Sequence, residues 1–125
     1  MILLDHLHAL WTLPAGDSDF STRWRLVKTA FSRGLHLGER VSVSRSRKRE
    51  RGIWQRRFWE HTIRDSDDFV RHADYIHFNP VKHNHVERVQ DWPFSSFHRM
   101  VRLGCCPPEW AGGPGDEPGS GFGER

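Results

Sequence analysis

Hydrophobic and polar positions alternate in two different rhythms along this chain. Leu4-Asp5-His6-Leu7-His8-Ala9-Leu10-Trp11 has period two, which predicts a strand with His6 and His8 on one face and Leu7 and Ala9 on the other. From Ser21 to Arg33 the period becomes helical: Phe20, Trp24, Val27 and Phe31 form a stripe, with Arg25, Lys28 and Arg33 off it. Phe58-Trp59-Glu60-His61-Thr62-Ile63 reads as a second strand. Ser66 to Asn79 reads as a second helix, with a capping serine, acids in the first turn and Pro80 as its stop. Phe69, Val70, Ala73 and Ile76 fall in one arc of that helix, the expected core stripe. Tyr75 lies opposite with Asp68 and Arg71, and Asn79 follows one turn later on the same face. Between the helices, residues of about 34–52 read as a basic loop, in which Val41-Ser42-Val43-Ser44 could add a short strand.

Size and composition limit this picture. A chain of 125 residues predicts one domain, placed at 1–111, followed by a Gly/Pro-rich tail at 112–125 with almost no core-forming residue and hence expected to be disordered. Six tryptophans and eight phenylalanines supply most of the large apolar groups in a chain whose mean hydropathy is −0.72. The net charge of +3 is unevenly spread. Arg40, Arg45, Arg47, Lys48, Arg49, Arg51, Arg56 and Arg57 face only Glu50 between positions 40 and 57. A solvated loop is the plain reading of such a run. With Trp54, Phe58 and Trp59 among or beside the arginines, the same run makes a candidate groove for single-stranded nucleic acid. Arg45, Arg47, Lys48, Arg49, Arg51, Arg56, Arg57 and Trp54 are its expected contacts. Cys105 and Cys106 are adjacent, which fits neither a zinc pair nor a disulfide framework. With no secretory signal and no stretch long enough to span a membrane, a cytoplasmic, nucleoid-associated location without membrane partners is expected.

Two imidazoles at i and i+2 on a strand can close on one divalent ion. The competing reading of His6 and His8 is two polar positions on a solvated edge, and that of Tyr75 is a half-exposed surface tyrosine. His61 either lines a site or is a strand histidine satisfied by a carbonyl. A zinc site among His77, His83 and His85 is disfavoured, because no cysteine or carboxylate completes it at the usual spacing.

These residues carry a resemblance. His6-Leu7-His8 resembles the His-hydrophobic-His motif of the HUH nucleases. Tyr75-Ile76-His77-Phe78-Asn79-Pro80-Val81-Lys82 resembles the tyrosine block of the single-tyrosine HUH transposases, and is most similar to the branch associated with repetitive extragenic palindromes. Leu10-Trp11-Thr12-Leu13-Pro14, Trp54-Gln55-Arg56-Arg57-Phe58-Trp59-Glu60-His61 and Asp91-Trp92-Pro93-Phe94-Ser95-Ser96-Phe97 fit in family order, from about residue 4 to residue 110. The resemblance implies an α+β fold, a ferredoxin-like sandwich with an antiparallel sheet and helices on one face. It implies an endonuclease and strand-transferase acting on single-stranded DNA hairpins of palindromic repeats. Tyr75 would be the nucleophile, forming a 5′-phosphotyrosine. Mg²⁺ or Mn²⁺ would be held by His6, His8 and Asn79, the last by its position one turn after the tyrosine. Asp5 is a weaker ligand candidate, since it directs away from His6 on a strand. A monomer or a homodimer is expected.

The chain departs from the family where it begins. A strand and loop usually precede the histidine strand, and only five residues precede His6 here. Leu4 stands where a proline is common, and Asn84 where a glycine is usual, although asparagine tolerates positive φ. Two function classes follow: an active enzyme, or a truncated, catalytically inactive single-strand DNA-binding remnant.

Overall fold

The longest helix is built by local signals. The Asp65 side chain accepts from the Asp68 backbone N–H at 2.8 Å, and Asp67 and Asp68 place negative charge at the positive end of the helix dipole. The computed structural model describes residues 1–113. Among these, the helices are α1 (Phe20–Arg33), α2 (Val43–Arg47), α3 (Ser66–Lys82) and α4 (Phe97–Arg102), with a 3-10 turn at Val89–Asp91. None is long and apolar enough to cross a membrane. The tail expected to be disordered lies, beyond residue 113, outside the described residues.

The ferredoxin-like sandwich is not seen. The described residues contain no strand, only an isolated antiparallel bridge between Ile2 and Leu7. The period-two pattern at residues 4–11 is present, but a strand exists only when a second extended segment pairs with it along its length. Here the segment turns back on itself instead: Leu3 N–H donates to His6 O at 2.9 Å and His8 N–H to Met1 O at 3.0 Å. Residues 58–63 likewise form no strand, and Val43–Arg47 is a short helix capped by Ser42 rather than a strand.

The chain divides into two compact units. One consists of Met1–Trp11 and the chain from His61 on; the other is Thr12–Glu60. In the first, Leu3, Ala73, Tyr75, Ile76, Val89, Trp92 and Phe97 form the core, Phe97 being fully buried. Asp91-Trp92-Pro93-Phe94 holds the N-terminal loop: Ile2 N–H donates to Phe94 O at 3.0 Å, and the Trp92 indole N–H to Ile2 O at 2.8 Å.

Two expectations for α3 need correction. Ala73 and Ile76 are buried, but Phe69 and Val70 are 43% and 52% exposed, and the buried face instead includes Tyr75, Asp68, His72 and Asn79. The helix also runs through Pro80 to Lys82. Proline removes one N–H but leaves the bonds of its followers available, and His83 N–H reaches Asn79 O at 3.0 Å. The end is then sealed by Asn84, in the left-handed region at φ 56°, with Asn84 N–H on Val81 O and His85 N–H on Pro80 O.

In the second unit no residue is buried. The α1 helix starts at Asp19, whose carboxylate accepts from Thr22 N–H at 3.0 Å, and meets the following loop through aromatic contacts. Phe20 and Trp24 lie 6.0 and 6.2 Å from Phe58, and Phe31 lies 5.3 Å from Trp54. Val27 and Phe31 of the expected stripe are about half exposed.

Candidate functional site

The first unit brings the tyrosine and the histidine pair together. The turn at residues 3–6 presents both imidazoles to α3, with ring centroids 5.0 Å apart and nearly perpendicular. His6 Nε2 lies 3.3 Å from Asn79 Oδ1, and the His8 ring stands edge-on to the Tyr75 ring at 5.8 Å. His83 closes the cluster at 5.3 Å from His6. Tyr75 is 5% exposed and Asn79 is fully buried, so neither is a surface residue of the helix.

Asp5 acts on this cluster without facing Asn79. Its carboxylate is 2.6 Å from His6 Nδ1, the nitrogen away from Asn79, and fixes the ring orientation. That hydrogen bond is the first reason the Asp5 carboxyl lies below its ordinary range. A hydrogen-bonded turn, not strand alternation, decides where Asp5 sits.

Lys82 is the residue that sequence reasoning missed. Its ammonium donates to the Tyr75 hydroxyl at 3.2 Å and lies 4.7 Å from the Tyr75 ring centre. The signal was the spacing itself: positions 75 and 82 are seven apart, two turns on one face, provided the helix passes Pro80. Ending the helix at Asn79 hid it.

Other histidines are accounted for separately. His77 Nε2 lies 3.0 Å from Ser96 Oγ, and its ring packs on Phe97 and Trp110. Burial, and then the positive amino terminus, push His77 down to about 4. His85 stacks between His83 and Trp92. His61 faces Asp68, with Nε2 2.8 Å from Oδ2.

The expected nucleic-acid contacts divide into two sets within the second unit. Arg51 is a structural clamp: it donates to Ser32 O, to Leu35 O at 3.1 Å, to His36 O at 2.7 Å, and pairs with Glu39. Arg45 donates to Trp54 O at 2.9 Å, and Arg56 pairs with Glu50 at 2.9 Å. The Trp54 indole N–H donates to Lys28 O and Ser32 Oγ, with its ring against Phe31. Arg47, Lys48, Arg49 and Arg57 are exposed.

As donors, His6, His8 and Asn79 fit a divalent ion: two imidazoles and one amide oxygen suit Mn²⁺ well and Mg²⁺ less so, since magnesium prefers oxygen. The 3.3 Å approach of a ring nitrogen to an amide oxygen is the observation that supports the set.

The site is thus a buried tyrosine beside a histidine pair, and comparison with known proteins says what the chain is similar to. No family model matches the chain, and no solved structure matches it. A protein of Escherichia coli named REP-associated tyrosine transposase is 48% identical over 112 residues, 90% of this chain and 60% of that relative. A protein of Haemophilus influenzae, provisionally given the same name, is 51% identical over 114 residues, 90% of this chain and 65% of that relative. Over nine-tenths of its length the chain is thus similar, at about half identity, to proteins named as REP-associated tyrosine transposases. It spans about three-fifths of the length of the two curated relatives.

Proposed function

We propose that this chain carries the cleavage and joining site of a transposase that acts on single-stranded DNA, with hairpins of palindromic repeats as substrate. The reading rests on one observation: the chain's only tyrosine is buried against His8, while His6 meets Asn79 on the next turn of the same helix. His6, His8 and Asn79 would hold Mn²⁺ or Mg²⁺, which when bound withdraws charge from a phosphate. The Tyr75 oxygen attacks phosphorus, the bond to the 3′ oxygen breaks, and a 5′-phosphotyrosine and a free 3′-hydroxyl result. The phenol proton leaves as the new bond forms, and the 3′ oxygen takes up a proton as it departs. Attack by another 3′-hydroxyl reverses the step and releases Tyr75. Lys82 keeps a positive charge at the one oxygen that carries negative charge both on attack and on release.

The test is an SDS-resistant protein–DNA adduct formed from a single-stranded hairpin and Mn²⁺ or Mg²⁺. Tyr75→Phe removes only the attacking oxygen, so it should abolish the adduct and leave DNA affinity within a few fold. An adduct that survives this change would sink the reading. Binding without any adduct in the unmodified chain would favour a DNA-binding remnant instead.

A further inference from the structure

A second cluster lies at the start of α3. Asp68 Oδ2 is 2.8 Å from His61 Nε2, Asp68 Oδ1 is 3.1 Å from His72 Nδ1, and the two imidazoles stack at 4.3 Å and 13°. One ligand atom from each of the three residues falls within 4.8 Å of the others. Asp68 and His72 are buried, while the His61 side chain is 25% exposed and opens the cluster to solvent. His72 Nδ1 is also 2.8 Å from the Asp68 backbone carbonyl. A carbonyl only accepts, so Nδ1 is the donor there and Nε2 is the ring nitrogen that would face an ion. Histidines that ligate metals are typically held this way, by donating the other ring nitrogen to a carbonyl.

We propose that His61, Asp68 and His72 form a metal site separate from the Tyr75 cluster, for a borderline divalent ion of the zinc class. Two imidazoles and a carboxylate form a familiar three-residue zinc set, with a fourth position left for water. Magnesium is a poor match to two nitrogen donors. The ion ties His61, which precedes the helix, to the first turns of the helix that carries Tyr75. The tie holds with water in the fourth position, and the proposal does not depend on the chemistry assigned to Tyr75.

The experiment uses the full chain, stripped with EDTA, in a His6→Ala, His8→Ala background that removes the other imidazole pair. Zinc alone is titrated by calorimetry and by thermal melting, and cobalt by visible absorption. One equivalent of zinc should bind and raise the Tm. His61→Ala and Asp68→Asn should each weaken binding by at least the ~10–100-fold that even outer partners of a metal carry. His61 lies outside the helix and Asp68→Asn is nearly isosteric, so circular dichroism should show both variants folded. If the double-alanine background does not fold, the unmodified chain is titrated and His61→Ala should remove one equivalent. Zinc binding unchanged by either substitution overturns the site. So does a Tm loss in His61→Ala of equal size with and without zinc, which would mean hydrogen bonding alone. A cobalt–thiolate band would move the ion to Cys105 or Cys106 and overturn it as well.

Discussion

The two units solve opposite problems. In the first, polar groups are buried and held in pairs: Asn79 against His6, Tyr75 against Lys82, Asp68 between two histidines. In the second nothing is buried, and helix and loop are joined by aromatic edges and by one arginine clamp. Bond-breaking chemistry needs groups fixed to within a fraction of an ångström, which burial and paired hydrogen bonds provide. Holding a polyanion needs positive charge with reach, which exposed arginines on a lightly packed scaffold provide. Under the proposed function, the difference separates residues whose loss should stop the reaction from those whose loss should only weaken binding.

The sharpest way to break that division is at the histidine pair. His6→Ala or His8→Ala should lower adduct formation by at least ~10–100-fold, with single-strand affinity little changed. Asn79→Ala should cost less, and extra metal should partly restore it, because one ligand is lost while the imidazole pair keeps its geometry. Undiminished cleavage by His6→Ala in EDTA would place the chemistry elsewhere.

Lys82 should come next. Removing a charged donor from a reacting oxygen in a half-buried site should slow adduct formation on the order of ten- to a hundredfold in Lys82→Ala. Lys82→Arg should recover part of the rate, since charge remains while the geometry changes. Measured with saturating DNA, the loss should lie in the rate constant and not in affinity. An effect confined to affinity would make Lys82 a phosphate contact only.

His77 tests the burial side of the comparison through pH. Its pKa falls from an ordinary 6.5 to about 4, so the unfolded chain binds the proton more readily than the folded one. Its neutral form therefore favours folding fully above pH 6.5, and that contribution is lost as the pH falls toward 4. At about 1.4 kcal/mol per pKa unit the loss is roughly 3 kcal/mol. Denaturant unfolding at pH 7 and pH 4.5 should show a smaller acid loss in His77→Gln than in the unmodified chain. Equal losses would mean that His77 is not held neutral by burial.

Much of this was legible, and what was missed shares a cause. The start of α3 was read within one residue, although the cap is Asp65 and not the expected Ser66, and α1 was read within one residue from its helical spacing. Asn84 at positive φ was readable for a local reason too. Strands were not: pairing is a property of two segments, and the period-two pattern at His6 and His8 does not name the second. The buried face of α3 was misjudged because an apolar stripe treats Tyr75, Asp68 and Asn79 as outward, whereas each is hydrogen-bonded inside. Reading Pro80 as a stop removed Lys82 from the face where it belongs. His61, Asp68 and His72 were separately visible, but stacking between positions eleven apart had no sequence signal.

The smallest effects should come from the basic segment, and they should separate two kinds of arginine that sequence treats alike. Arg51 makes its hydrogen bonds within its own unit, to three backbone carbonyls and the Glu39 carboxylate, and Glu39 lies below its ordinary carboxylate range mainly because of that pairing. Arg51→Ala leaves those acceptors to water or to nothing, so it should lower the melting temperature while changing the salt dependence of DNA binding little. Arg47, Lys48 and Arg49 are exposed at the end of the short helix α2 and just beyond it. Replacing all three by glutamine should cost almost no stability. Each phosphate contact they make should contribute roughly 0.7 to the log–log salt slope for a single strand, or about 2 if all three engage. Affinity and slope measured from low to moderate salt, beside melts of the same variants, decide it. A triple variant with unchanged slope would return these residues to a solvated loop, whereas an Arg51→Ala slope change matching theirs would erase the distinction between clamp and contact.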